Sequence, residues 1–152
     1  MKQAKKIITR MLLNNWGGIS HRMMEFHEYV NLFSGKSGSG KSTVMDAIQV
    51  VLYGSMSASF LNKAADDAKN RRSVMSYLRG EQKDGTANRG GQDFGSTLVL
   101  EIKDTGSGIT TCFGVLFEIG RADTDINGKY TFFSHSGSMP EDEYLEEGGI
   151  PY

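Results

Sequence analysis

An α/β domain built around a phosphate-binding loop is the fold this sequence predicts, and three observations predict it. Residues Gly35-Lys36-Ser37-Gly38-Ser39-Gly40-Lys41-Ser42 fit the pattern G-x-x-x-x-G-K-S/T. The run Tyr29–Phe33 just before it is short, aromatic and β-branched, the composition of a strand. After it, Val44, Ile48, Val51 and Leu52 recur at i, i+4, i+7 and i+8, one face of a helix, and Gly54 stands where that helix should stop.

Each position of the loop has a chemical task. A triphosphate needs several donors converging on it, more than side chains alone supply. Gly35, Gly38 and Gly40 remove Cβ atoms that would keep the backbone away from the phosphates. The N–H groups from Gly35 through Thr43, those of Lys36, Ser37 and Ser39 included, can then form an anion nest at a helix N-terminus. Lys41 adds a point charge for the β- and γ-phosphates, and the Ser42 hydroxyl is a ligand for Mg2+. ATP and Mg2+ are therefore the expected cofactors, bound by Gly35–Thr43, with Lys41 as the catalytic residue.

The remaining elements follow in chain order. Ile7–Leu13 reads as a first strand, Asn14–Gly18 as a turn around Trp16, and Arg22–His27 as a second strand. Two strands thus precede the phosphate loop. Phe60–Arg79 has room for one or two short helices. Gly80–Gly95 is rich in Gly, Asp, Asn and Gln and reads as a mobile loop, so 55–95 is expected to be a mobile insertion. Ser96–Lys103 and Thr110–Ile119 read as a hairpin joined at Asp104–Gly108. Asn127-Gly128 is a type I′ turn signal ahead of a strand at Lys129–Ser134.

Bulk properties bound the answer loosely. The chain has 152 residues and a formal net charge of −1, enough for one domain and uninformative about partners. Its single cysteine, Cys112, excludes an internal disulfide and fits a reducing, cytoplasmic setting. No apolar run approaches the roughly 20 residues of a membrane span. Charge is uneven: residues 61–90 carry seven basic side chains against four acidic, whereas 139–152 are acidic throughout. The acidic end reads as a solvated tail over 136–152.

Ser42-Thr43-Val44-Met45-Asp46-Ala47-Ile48, continuing to Leu52-Tyr53-Gly54, resembles the phosphate-loop helix of SMC, RecF and RecN-type ATPase heads. Asn15-Trp16-Gly17-Gly18, then Phe26 and Asn31, is similar to the N-terminal half of the SMC-like proteins MukB and JetC, the latter from the Wadjet plasmid-defence condensin. Arg72–Gly80 resembles a segment of the JetC group. The likeness spans residues 6 to 135. It implies a P-loop NTPase of ABC/SMC head type, N-terminal lobe only (residues 1–135), carrying an antiparallel β hairpin region. It further implies that the signature motif and the Walker B Asp-Glu pair lie in the C-terminal half of the head. A coiled coil would separate the halves, and ATP would be cleaved between two heads served by kleisin-type and accessory subunits.

The chain departs from that pattern where catalysis would be completed. Leu98–Glu101 and Val115–Glu118 are apolar runs that end in Glu, not Asp, and read as hairpin strands with exposed Glu. Asn88-Arg89-Gly90-Gly91-Gln92 has a superficial likeness to the ABC signature, but Arg89 stands where a γ-phosphate-contacting serine belongs. The chain thus reads as half a head, truncated within its acidic tail, that binds ATP and hardly hydrolyses it. Two rivals remain: a small P-loop kinase using Arg71, Arg72 and Arg79 as a lid, and a non-catalytic interaction module with a degenerate loop. Arg71, Arg72, Arg79 and Lys83 are either DNA-phosphate contacts or a solvated face. Trp16 either lies near the nucleotide base or packs in the core. His21, His27 and His135 show no metal-ligand spacing. Met23, Met24 and Cys112 read as core filler.

Overall fold

The structure, a computed structural model, describes residues 5–26, 41–54, 73–82, 84–139, 145–146 and 150–151, with backbone alone at 41–42 and in the last two pairs. Its centre is a five-stranded antiparallel sheet. Strands β1 (Lys6–Trp16) and β2 (Ile19–Glu25) precede helix α1 (Lys41–Tyr53) and helix α2 (Val74–Arg79). Strands β3 (Phe94–Asp104), β4 (Thr110–Ile119) and β5 (Tyr130–Ser136) follow. The order across the sheet is β2-β1-β3-β4-β5. The antiparallel part is therefore not a separate hairpin region of the second half. β1 inserts it into one sheet with β2, pairing Met11 with Leu100 and Leu13 with Leu98.

The two central strands explain why their sequences alternate so weakly. Met11–Asn14 in β1 and Gly95–Glu101 in β3 are buried without a break, because both faces of the sheet are covered there. On one face Met11, Leu13, Trp16, Leu98, Leu100, Val115 and Phe117 meet α1 and α2. On the other, Leu12, Val99 and Cys112 pack under Met139.

Met139 is held there by a polar clasp. Its N–H donates to Glu101 Oε2 at 2.7 Å, and its carbonyl accepts from Arg10 Nη2 at 2.7 Å. Arg10 also pairs with Glu101 at 2.7 Å. Register slips between Ile8 and Arg10, so Thr9 is an extra residue in β1, and its hydroxyl donates to Glu101 Oε1 at 2.7 Å. Glu101 is thus buried rather than exposed, in contrast to the sequence expectation, while Glu118 is exposed as expected. Residues 136–139 likewise belong to the domain rather than to a solvated tail. The rest of that tail is described only as a two-residue ladder of Leu145–Glu146 with Ile150–Pro151.

α1 seats on the sheet through Val44, Ala47, Val50 and Val51. The buried face is rotated from the one the spacing suggested, and Leu52 is 45 % exposed. Ala47 and Val50 occupy the face against the sheet in place of Leu52. Gly54 ends the helix at φ 63°, donating to Val50 O at 3.0 Å.

α2 is capped by Ser73, whose Oγ accepts from Ser76 N at 3.1 Å, and ends at Gly80 in the left-handed region, φ 67°. The stretch after it is folded, in contrast to the mobile loop expected over 80–95. Asn88 N donates to Gly80 O at 3.1 Å, Arg89 N to Arg79 O at 2.8 Å, and Gln82 N to Thr86 O at 2.7 Å. Of the rest of the expected mobile insertion, 55–72 and Lys83 lie outside the described residues. The turn at Asn127-Gly128 also differs from expectation. Only Gly128 has positive φ, 73°, whereas a type I′ turn needs it at both central residues. β4 and β5 are joined by ten residues, not a two-residue hairpin.

Candidate nucleotide-binding site

The strand at Tyr29–Phe33 and the loop residues Gly35, Lys36, Ser37, Gly38, Ser39 and Gly40 lie outside the described residues, as do the side chains of Lys41 and Ser42. What the structure places is the helix that follows them. α1 begins at Lys41, the seventh position of the eight-residue motif, so the first-turn N–H groups of Lys41, Ser42 and Thr43 have no partner within the helix and sit where the loop delivers the chain. A magnesium–nucleotide fits that donor set: N–H groups for phosphate oxygens, an ammonium at Lys41 and a hydroxyl at Ser42.

The N-terminal half of α1 is fixed by two hydrogen bonds from one stacked pair of rings. Trp16, at the end of β1, donates from Nε1 to Thr43 O at 2.9 Å. Its indole lies flat on Tyr77 of α2, with centroids 4.7 Å apart and planes 13° apart. The Tyr77 hydroxyl donates to Asp46 Oδ2 in the second turn of α1. Trp16, Asp46 and Tyr77 are all buried. Trp16 is therefore a packing residue, the second of its two sequence alternatives.

The turn between β1 and β2 closes this cluster. Gly17 has φ 58°, and a Cβ there would stand 2.8 Å from Thr43 Cγ2. Its N–H donates to Tyr77 O at 2.7 Å, and its carbonyl accepts from Arg89 Nη2 at 2.7 Å. Arg89 also donates from Nε to Leu78 O at 2.6 Å. Burial lowers the Arg89 pKa, yet a guanidinium stays protonated at any working pH. The signature-like run Asn88–Gln92 is thus a structural turn whose arginine points into the protein.

Arg79 corrects a second expectation. It is 7 % exposed, and its guanidinium donates to the carbonyls of Arg89, Gln92, Gly120, Arg121 and Asp123 at 2.7–3.3 Å. It is spent on the fold, so it is neither a DNA-phosphate contact nor a kinase lid residue. Arg71, Arg72 and Lys83 lie outside the described residues. Among the described residues no group of three His, Cys, Asp or Glu side chains is placed to hold a metal. His21 meets Asn14 Oδ1 at 2.5 Å instead, and His27 lies outside the described residues. Also among the described residues, no helix is long and apolar enough to cross a membrane.

Sequence reasoning did not single out Tyr77, or Asp46 as its partner. The two are 31 residues apart and share no local pattern. The one available signal was Ser73, a helix cap that places Tyr77 in a first full turn.

Comparison with known proteins agrees with this geometry. The family described as the P-loop containing region of AAA domain matches residues 8–68, the span holding β1 from Ile8 onward, β2, the loop motif and α1. The chain is also similar to the C subunit of nuclease SbcCD from Staphylococcus haemolyticus (strain JCSC1435), 37% identical over 74 residues. That alignment takes in 46% of this chain and 6% of the relative, so the chain spans only a small part of that protein's length. Both similarities point to a P-loop region, and Gly35–Ser42 lies inside the span that the P-loop family matches.

Proposed function

We propose that this chain is the ATP-binding N-terminal lobe of an SMC-like, DNA-associated ATPase head. The observation that carries the reading is the motif Gly35–Ser42, whose last two residues open α1. In this reading the loop N–H groups wrap the phosphates, Lys41 stabilises charge on the β- and γ-phosphates, and Ser42 holds Mg2+. The metal, when bound, neutralises phosphate charge. The Asp-Glu pair and the signature would come from the C-terminal half and a second head, with kleisin-type and accessory subunits completing a cytoplasmic assembly. The name of the matched relative, part of a nuclease, supports the association with DNA. A condensin or plasmid-defence role of the MukB and JetC kind is the finer form of this reading, resting on Asn15–Gly18 and Arg72–Gly80. Arg71, Arg72 and Lys83 remain its DNA-phosphate candidates.

Isothermal titration of the chain with Mg·ATP tests the reading. Wild type binds, and Lys41→Ala binds at least about tenfold more weakly, the value of one charge-assisted contact. Equal heats for wild type and Lys41→Ala, or no heat at all, overturn it.

A further inference from the structure

We propose that Tyr77 is a positioning residue of the nucleotide site, setting the phosphate-loop helix through Asp46 and through Trp16. The proposal rests on the nucleotide reading above. Its starting point is a division of labour at α1. Val44, Ala47, Val50 and Val51 hold the helix on the sheet, but apolar contact is non-directional. It does not by itself set the helix's rotation or its shift along its axis, and those two coordinates aim the first-turn N–H groups.

Two directional contacts supply them. The Tyr77 hydroxyl reaches Asp46 in the second turn, and the Trp16 Nε1–H reaches the Thr43 carbonyl in the first. They lie on the end of α1 that carries Lys41 and Ser42. Both come from one rigid unit, since the two rings are stacked at 4.7 Å. That unit is itself anchored. Gly17 N–H donates to Tyr77 O, and Arg89 ties Gly17 O to Leu78 O. Arg79 then joins the end of α2 to the loops at 89–92 and 120–123. A buried carboxyl costs desolvation, which hydrogen bonds must offset. An apolar residue at position 46 would attach the helix at lower cost, so Asp46 with its hydroxyl partner serves orientation.

The test uses the full chain and three readouts: thermal melting, Mg·ATP affinity by calorimetry, and emission of Trp16, the sole tryptophan. Tyr77→Phe removes the hydroxyl and keeps the stacked ring. Asp46→Asn keeps an acceptor oxygen for the same bond. In wild type, adding Mg·ATP shifts Trp16 emission, because its Nε1–H bonds the first turn of α1. Tyr77→Phe still melts cooperatively, binds Mg·ATP roughly tenfold more weakly, as loss of a supporting hydrogen bond behind a ligating group does, and shows a reduced emission shift. Asp46→Asn behaves as wild type. Trp16→Phe, read by calorimetry, is weakened like Tyr77→Phe and covers the case in which the latter fails to fold. Wild-type affinity in folded Tyr77→Phe, or equal weakening in Asp46→Asn, overturns the positioning role alone. No binding by wild type overturns the nucleotide reading, and this proposal with it.

Discussion

Two buried arginines stitch the loops around α2 by donating to main-chain carbonyls. Arg79 gathers carbonyls from 89–92 and 120–123, and Arg89 gathers those of Gly17, Tyr77 and Leu78. Both guanidinium carbons lie over Phe94, at 5.4 and 5.6 Å from its centroid. A planar fork of five donors reaches several carbonyls at once, which an ammonium does not. Arg89→Met, which keeps the apolar stem, should therefore destabilise by about 2–4 kcal/mol in urea titration, and Arg89→Lys should recover little of it. Glu101 gives the residue scale a pH signature. Burial pushes its carboxyl up, but hydrogen bonds from Arg10, Met139 N–H and Thr9, with the Arg10 charge, outweigh that and leave it below the usual range. A carboxyl depressed in the fold contributes stability above its unfolded pKa, and that contribution is lost as pH falls through the folded value. Glu101→Gln should therefore be less stable than wild type at neutral pH, and the gap should close on acidification below about pH 4, the unfolded range of a glutamate. A gap independent of pH would contradict the ionised clasp.

Elements here are placed by close backbone approaches as much as by apolar faces. Gly114 in β4 faces Phe133 of β5, and a Cβ there would stand 2.9 Å from the Leu98 carbonyl of β3. Backbone cannot yield as a side-chain tip can, so Gly114→Ala should cost about 1–3 kcal/mol by thermal melting, with Phe133 displaced from its place against the cluster of Leu12, Val99, Cys112 and Met139. Strands of this sheet are readable in sequence because β-branched and apolar residues run through Ile7–Leu13, Ser96–Lys103 and Thr110–Ile119. The helix α1 is equally plain. Its buried face is not, since Val44 and Val51 are compatible with either neighbouring stripe, and only packing against the sheet selects Ala47 and Val50 over Leu52. The 84–95 turn is illegible for another reason. Gly, Asn and Asp announce turn chemistry, whereas order there comes from Arg79 and Arg89 reaching residues distant in sequence. The phosphate-loop motif is plain in sequence, although residues 35–40 lie outside the described ones, whereas the ring pair Trp16–Tyr77 that bonds α1 at Thr43 and Asp46 leaves no local trace.

For the whole molecule, the proposed function implies that binding and cleavage of nucleotide separate. The phosphate loop is complete in sequence, whereas none of its apolar strands ends in the Asp-Glu pair that would hold Mg2+ and orient water. Glu101, at the end of one such run, is occupied by Arg10, Thr9 and Met139 N–H. Glu118 ends the other on the exposed surface, one residue before the close of β4. The chain alone should therefore act as a nucleotide receptor. A ligand that binds only the folded state at a hundred times its Kd adds about 2.7 kcal/mol. For a domain of this size that raises the melting temperature by roughly 5–10 °C. Mg·ATP should produce that rise in wild type and about half of it or less in Lys41→Ala, whose binding is at least about tenfold weaker. Over the same hours, phosphate release should stay at the background of a no-protein control. Release that scales with the concentration of this chain and is lost in Lys41→Ala would show that it supplies its own catalytic carboxylate, and would return the kinase-like reading to consideration.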